Sequence, residues 1–492
     1  MNRILQTRSL FFLIVLFGIF VMAARPVTDP DLWWHLRTGQ LIVQNHQLFH
    51  ADPYSFTKAG QPWLDHEWLS QIVIFLIYRS AGYGGLMVVF AAIIAAAFLV
   101  VYWRSPGRPY VAGVVTVWGA LASVPCWGVR PQMLTLLLAS ILLLVLERSY
   151  ARPGLLWAIP ALLLLWVNLH AGYALGIGFI GLFLVGDALD LMLGWPTAGL
   201  SIARLRRLGL VLAISLLMVP VNPYGAELYL YPFQTLHSRA MQFYIGEWFS
   251  PNFHDAHYLA TLVMVLATLA VPMLSPRRLR PREILLLIVT MWAALRSVRH
   301  IPIYMLVAVP LLSAMITAWL EQRKASSLLT GSGRPLTSAK LGFNAIMLAA
   351  VVLAGVLRVR YVLQGQSTAE GREFPSAAVA FLADGHIPGH IMNHYNWGGY
   401  FIWKLYPEVP VYIDGRADLY GDTFMDQFAA TYYLKGKAWA DPLTQWNIRT
   451  VVLPPDAPLI TALRSSPAWK TVFADKQTVV VTKVIDSQRS MP

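Results

Sequence analysis

The chain reads as a mainly α protein: a polytopic membrane bundle of about eleven helices, followed by a small soluble α/β domain. Three observations predict this. Of its 492 residues, 57% are hydrophobic and only 13% charged. Apolar runs of about 17–20 residues, the length needed to cross a bilayer, recur along the chain. After residue 357 the pattern changes, and short strand-like and helix-like stretches alternate with Gly, Pro and Asp.

Reading spans by run length and loops by Lys and Arg places helices at 9–24, 84–103, 109–125, 131–147, 154–169, 172–192, 208–221, 256–274, 283–296, 301–320 and 341–357. The first run follows Arg3 and Arg8 and ends at Ala23 and Ala24. It is read as an uncleaved span. A cleavable signal peptide is the competing reading, disfavoured because many further spans follow. With the N-terminus inside, the cytoplasmic ends carry Arg104 and Arg108, Arg148 and Arg152, Arg204, Arg206 and Arg207, Arg277, Arg278, Arg280 and Arg282, then Arg323, Lys324, Arg334 and Lys340. That is the positive-inside pattern. An odd number of spans sends the C-terminal segment outside, so the expected division is a transmembrane part, 1–357, with a long first external loop, 25–83, and an external soluble domain, 358–492.

The net charge of +13 does not point to nucleic acid. Residues 358–492 hold 13 basic and 12 acidic residues, so the excess lies between spans rather than on one soluble face. The single cysteine, Cys126, excludes an internal disulfide and a cysteine-based metal site. In the soluble segment "VPVYIDGR" and "IRTVVLP" are expected as strands and "FMDQFAATYYL" as a helix.

Polar residues concentrate at the external ends. In chain order these are "TDPDLWWH" and "WLDHEW" in the first loop, then "GVRPQ", "VNLHAGY", "VNPYG", "IGEWFSPNFHD" and "RSVRHIP". The cytoplasmic ends carry mainly arginine, with Glu147, Asp187, Asp190, Glu283 and Glu321 as scattered acids. A mixed-sign cluster confined to one side is what an outward-opening, membrane-embedded active site presents.

The combination resembles the C-type (GT-C) glycosyltransferases, integral membrane enzymes that take a sugar from a polyprenyl phosphate carrier on the external face. The residues that carry the resemblance are "DPDLWWHLRTGQ", "PWLDHEW", "VNLHAGY", "NPYG", Arg299-His300 with Pro302, and "YIDGR", together with the external C-terminal domain. The resemblance implies a GT-C-like fold in the cytoplasmic membrane, a polyprenyl-phosphate sugar donor, a glycan, lipid or protein acceptor, and a place in glycan biosynthesis of the cell envelope.

Each motif also has a plain structural reading. Asp29 as a helix cap, Pro30 at the first helical position and Asp31 in the first turn make a good helix start, and "LWWHLRTGQLIV" then separates aromatic side chains from His35, Arg37 and Gln40 as an interfacial helix does. The resemblance places the general base that deprotonates the acceptor at Asp29 or Asp31, with Asp29 favoured as the nearer to the span. Asp65 suits an N-cap, but His66 and Glu67 need another reason. The acids Asp65 and Glu67 are oxygen donors suited to Mg²⁺ or Mn²⁺, and all three residues are candidate substrate contacts. Arg130, Arg299 and His300 are candidate ligands of the donor phosphate, because a guanidinium fork matches phosphate oxygens and charge develops there as the carrier leaves. Their plain alternative is contact with membrane lipid headgroups. His35, Asn168, His170, Asn222 and Glu247 are candidate sugar or acceptor contacts, although Asn and His at span ends also cap helices. Asn393, Trp397, Asp414 and Arg416 are expected either at an acceptor surface or as a loop staple.

Two other function classes fit a polytopic chain. A lipid-linked sugar flippase would show charges near the bilayer midplane and internal repeats, neither of which is found here. A non-catalytic assembly protein would bind glycan without turnover.

Overall fold

The computed structural model describes residues 7–323, 337–385 and 389–484. Arg3, the side chain of Arg8, Lys324 and Arg334, all assigned to cytoplasmic ends, lie outside them. Every one of the eleven expected spans falls on a helix. Among the described residues six helices are long and apolar enough to cross a membrane: Trp68–Arg104, Pro109–Cys126, Tyr173–Met192, Ala256–Leu274, Val298–Gln322 and Ser338–Gln364. Of the other five expected spans, Thr7–Ala23, Gln132–Arg148 and Ile202–Met218 are helices of 17 residues, Pro281–Arg296 has 16, and 154–169 is a 3-10 turn followed by the 11-residue helix Ile159–Leu169. The helix Trp68–Arg104 has 37 residues and is broken at Gly82, whose φ of 59° is open to glycine.

The chain forms two compact units, and neither is a continuous stretch. The first comprises 1–25, 84–232 and 245–364; the second comprises 26–83, 233–244 and 365–492. The first loop therefore clusters with the C-terminal segment.

In the first unit the helix Ile301–Gln322 is the centre, packed on Pro109–Ser123, Pro281–Arg296 and Leu259–Leu274. Leu306, Ala308 and Val309 are fully buried there. Of the acids at the ends assigned to the cytoplasm, Glu147, Asp187 and Glu283 are paired locally. Arg104 pairs with Glu147 at 2.7 Å and Arg277 with Glu283 at 2.6 Å. Asp187 pairs with Arg204 at 3.0 Å and Arg282 at 3.1 Å, and also accepts from Tyr150. These pairs hold helix ends together, since a buried charge is tolerated only with a partner.

In the second unit a four-stranded mixed sheet has the order β1-β2-β4-β3. β1 (His390–Asn393) runs parallel to β2 (Ile448–Leu453), and β4 (Val479–Lys483) pairs antiparallel with both β2 and β3 (Trp469–Ala474). Val451, Val452, Val480 and Val481 are fully buried, as β-branched residues in a covered sheet should be. The expected helix is present as Ala417–Tyr432. "VPVYIDGR" is not a strand: it makes one isolated bridge, Ser55 to Val411. The reason is that a side chain replaces the missing ladder. Asn393 Oδ1 accepts from the Tyr412 amide at 2.9 Å and its Nδ2 donates to the Ile413 carbonyl at 2.7 Å.

The first loop is built into this unit. Gln366 makes paired bonds to the Val27 backbone, 2.8 and 2.9 Å. Trp33 is fully buried against Phe374 and Tyr400. The helix Leu32–Asn45 lies so close to the start of Trp68–Arg104 that a Cβ on Gly39 would meet the Gln71 carbonyl at 2.1 Å. Segment 233–244 is pinned by Asp422, which accepts from Ser238 Oγ at 2.7 Å and from the Arg239 and Ala240 amides at 3.0 and 3.1 Å.

Candidate active site

The acidic motifs of the first loop all belong to the second unit. Asp29 Oδ1 accepts from the Asp31 amide at 3.0 Å, so its carboxylate caps the start of the helix Leu32–Asn45. Asp31 makes no such cap; its Oδ1 accepts from Trp34 Nε1 at 3.3 Å. A Cβ on Gly415 would come within 1.9 Å of that same oxygen, so the glycine of "YIDGR" is what lets the backbone approach Asp31.

The second acidic motif sits on a non-helical segment ahead of Trp68, and its side chains converge. Glu67 lies between two histidines, 3.5 Å from His35 Nε2 and 3.6 Å from His66 Nε2. Asp65 is 2% exposed; Gln71 donates to its Oδ1 at 2.5 Å, while Oδ2 has no hydrogen-bond partner among the described residues. Burial pushes the Asp65 carboxyl up to about 7, only partly offset by His66 and Gln71. Burial works against the charged form of His66, but Glu67, with Asp418 and Asp65, outweighs it and raises its pKa. Burial also raises the Asp418 carboxyl, against His66.

Beside these lies Arg416, 2% exposed, paired with Asp52 at 2.8 Å and Asp414 at 2.7 Å. Its guanidinium stands 5.0 Å from the Tyr54 ring centre and 4.6 Å from that of Trp63, and Tyr420 donates to Asp414 at 2.8 Å. Burial disfavours the charge, yet Asp414 and Asp52 dominate and hold the pKa well above its ordinary value. Arg416 and Asp414 are therefore a staple between loop and C-terminal segment. Asn393 is the backbone bridge already described, and Trp397 is buried.

Asp65 and Glu67 give the hard oxygen donors that Mg²⁺ or Mn²⁺ takes. Glu67 already faces two histidines, and among the described residues no group of three or more His, Cys, Asp or Glu side chains converges to hold a metal. The pair fits a partial shell and not a closed site.

The cationic candidates belong to the first unit. Arg130 pairs with Glu247, and Arg299 lies over the Trp248 ring at 4.5 Å. His300 packs edge-on to Trp248 at 6.4 Å and has a buried Nδ1 with no hydrogen-bond partner among the described residues. The structure thus brings Arg130, Glu247, Arg299 and His300 together.

Asn168, His170 and Asn222 are occupied otherwise. Asn168 Nδ2 donates to the Leu164 and Val221 carbonyls, 2.9 and 3.1 Å. His170 Nδ1 meets Thr135 Oγ1 at 2.8 Å and accepts from the Gly172 amide at 2.9 Å. Asn222 closes a turn, accepting from the Tyr224 amide at 2.7 Å. Sequence reasoning missed Asp52 and Asp418. Asp52 stands in "HADPYSF", an ordinary turn signal; Asp418 follows "YIDGR" by two residues, and that closeness was the available hint.

No protein-family model matches the chain, and no curated protein matches it. Solved structures do. The Archaeoglobus fulgidus oligosaccharyltransferase, tethered with an acceptor peptide containing the NVT sequon, is 11% identical with a TM-score of 0.55, over 92% of this chain and 70% of that one. The same organism's AglB, in complex with an inhibitory peptide and a dolichol-phosphate, is 10% identical with a TM-score of 0.55, over 90% and 69%. ArnT from Cupriavidus metallidurans bound to undecaprenyl phosphate is 16% identical over 96% and 97%, with a TM-score of 0.46. At such identities the likeness to the oligosaccharyltransferase is one of fold.

Proposed function

We propose that this chain is a membrane glycosyltransferase that moves a sugar from a polyprenyl-phosphate-linked donor to a glycan, lipid or protein acceptor on the external face of the cytoplasmic membrane. All eleven apolar helices cross, the N-terminus is cytoplasmic and the C-terminal segment external. The observation that carries the reading is the cluster of Arg130, Arg299 and His300 about Trp248 and Glu247, cations suited to a lipid phosphate, in a chain whose fold is like that of the oligosaccharyltransferase.

The acceptor hydroxyl attacks the anomeric carbon while the bond from that carbon to the phosphate oxygen breaks. Asp31 takes the hydroxyl proton. It is preferred to Asp29, whose carboxylate caps a helix. The lipid phosphate leaves with the bonding electron pair, and its new charge meets Arg299 and Arg130, with His300 beside them. Direct displacement inverts the anomeric centre. A divalent cation would be held by Asp65 and Glu67, whose carboxylate oxygens suit it, and would supply positive charge there.

Incubating the purified protein with labelled polyprenyl phosphosugars and envelope glycan acceptors tests the reading. Sugar transfer with release of polyprenyl phosphate is expected. Transbilayer movement of intact donor without turnover would make it a flippase, and neither activity would leave an assembly protein.

A further inference from the structure

Glu247 lies against the two arginines proposed above to meet the donor phosphate. Its carboxylate pairs with Arg130, and Arg299 acts on it as the second nearby cation. Burial favours the neutral acid, but Arg130 and Arg299 prevail and keep the Glu247 carboxyl below its usual range, so it is an anion in the resting protein. The backbone of its turn, Gly246–Trp248, is held by bonds that do not use the carboxylate. Ser297 Oγ donates to the Glu247 carbonyl at 2.8 Å, and the Val298 amide donates to the Phe249 carbonyl at 3.0 Å. The carboxylate is therefore not what shapes the turn. The pair is also asymmetric in exposure: the Arg130 side chain is 12% exposed and that of Glu247 38%, so the acid is the more accessible partner. Arg299 lies over the Trp248 ring at 4.5 Å, and a guanidinium presents its N–H groups in its own plane, where an oxyanion can take them.

We propose that Glu247 is an internal counter-ion for Arg130 and Arg299 that a phosphate oxyanion, the headgroup of the donor lipid, displaces on binding. This rests on the donor-phosphate reading above. While no donor is bound, the glutamate holds the arginines in position and screens them from adventitious anions; when donor binds, it gives up the pair and remains nearby as a negative charge. Two consequences follow. Removing the charge should tighten phosphate binding. The gain should grow with the charge of the ligand, because the repulsion relieved is proportional to it.

The test uses the full chain in nanodiscs, with binding measured for undecaprenyl phosphate, undecaprenyl diphosphate and inorganic phosphate. Glu247→Gln is expected to bind undecaprenyl phosphate about three- to tenfold tighter than wild type, with a larger gain for the diphosphate. Glu247→Asp, which keeps the charge, is expected to stay near wild type. Glu247→Gln that binds the lipid equally or more weakly, at unchanged melting temperature, overturns the inference and leaves the donor reading standing. Failure of both variants to fold overturns it too, by making the carboxylate structural. Inorganic phosphate that competes as strongly as the lipid reassigns the cluster to free anions and overturns displacement by the donor. A wild-type protein that binds no undecaprenyl phosphate overturns both the inference and the reading it rests on.

Discussion

Arg416, in the C-terminal segment, forms a 2.8 Å ion pair with Asp52 in the first loop, and neither side chain is more than 1% exposed. The same guanidinium holds Asp414 and stands against Tyr54 and Trp63, so one residue ties two distant parts of the sequence into one unit. Truncation to Arg416→Ala leaves two buried carboxylates facing each other. It is expected to cost about 3–5 kcal/mol, read as a fall in melting temperature of the purified protein. Arg416→Lys should recover only part, because an ammonium cannot bridge both acids with a planar fork.

Asp65 gives stability a defined pH dependence. Its folded pKa is raised to about 7, above that of an unfolded aspartate, so the folded state binds the extra proton between those values. Stability therefore falls as pH rises through that window and is flat above it. His66, raised as well, contributes stability that is complete below its unfolded pKa and is lost as pH rises through the folded one, the same direction. Melting temperature should drop between about pH 5 and 8, and Asp65→Asn should flatten the slope. A slope unaltered by that variant would remove Asp65 as its source.

The two aspartates of "TDPD" should separate by what they impair. Asp31→Asn is expected to lower turnover about 10²- to 10⁴-fold with little change in melting temperature. Asp29→Asn is expected to do the reverse, costing about 1 kcal/mol as a weakened cap while much activity remains. Parallel measurement of transfer rate and thermal melting decides it, and an inactive, fully stable Asp29→Asn would exchange the two roles.

In the other unit, Arg299→Gln should reduce turnover about 10²-fold or more if Arg299 meets the leaving phosphate as proposed, since the variant removes a charged donor. Arg299→Lys should not rescue fully, because an ammonium lacks the planar fork that the guanidinium holds over Trp248. The kinetics of both variants, resolved into kcat and KM, check this.

Chelation tests the cation. If Asp65 and Glu67 hold one, EDTA should abolish transfer and Mg²⁺ or Mn²⁺ should restore it, with Glu67→Gln needing more metal for half-maximal rate. Turnover that survives exhaustive chelation confines these acids to the His35 and His66 contacts.

The apolar helices were legible because an apolar run of bilayer length is a local signal, as in 109–125 or 301–320; each expected span coincides with a helix, and six of the described helices are long and apolar enough to cross a membrane. What was not legible is long-range. Nothing in "TDPDLWWHLRTGQ" says that Trp33 packs on Phe374 and Tyr400, and nothing in the 233–244 segment announces its capping by Asp422. "VPVYIDGR" carries the alternation of a strand, yet its hydrogen bonds are taken by the Asn393 amide, which no periodicity reveals. The acids at 29, 31, 65 and 67 were found because histidine and tryptophan surround them. Asp52 and Asp418 lack that company, and their importance appears only through Arg416 and His66.

The paired bonds between Val27 and Gln366 join residues 339 positions apart. At about 5–20 residues per second, a ribosome that has just delivered the first loop needs roughly 17 to 70 seconds to deliver its partner. Throughout that interval Trp33 and Trp34 have left the first helix with nothing from the C-terminal segment to cover them. The nascent loop has to be sheltered by the bilayer surface or a chaperone, so production of this protein should be more sensitive to whatever guards its earliest loop than to the insertion of its later helices.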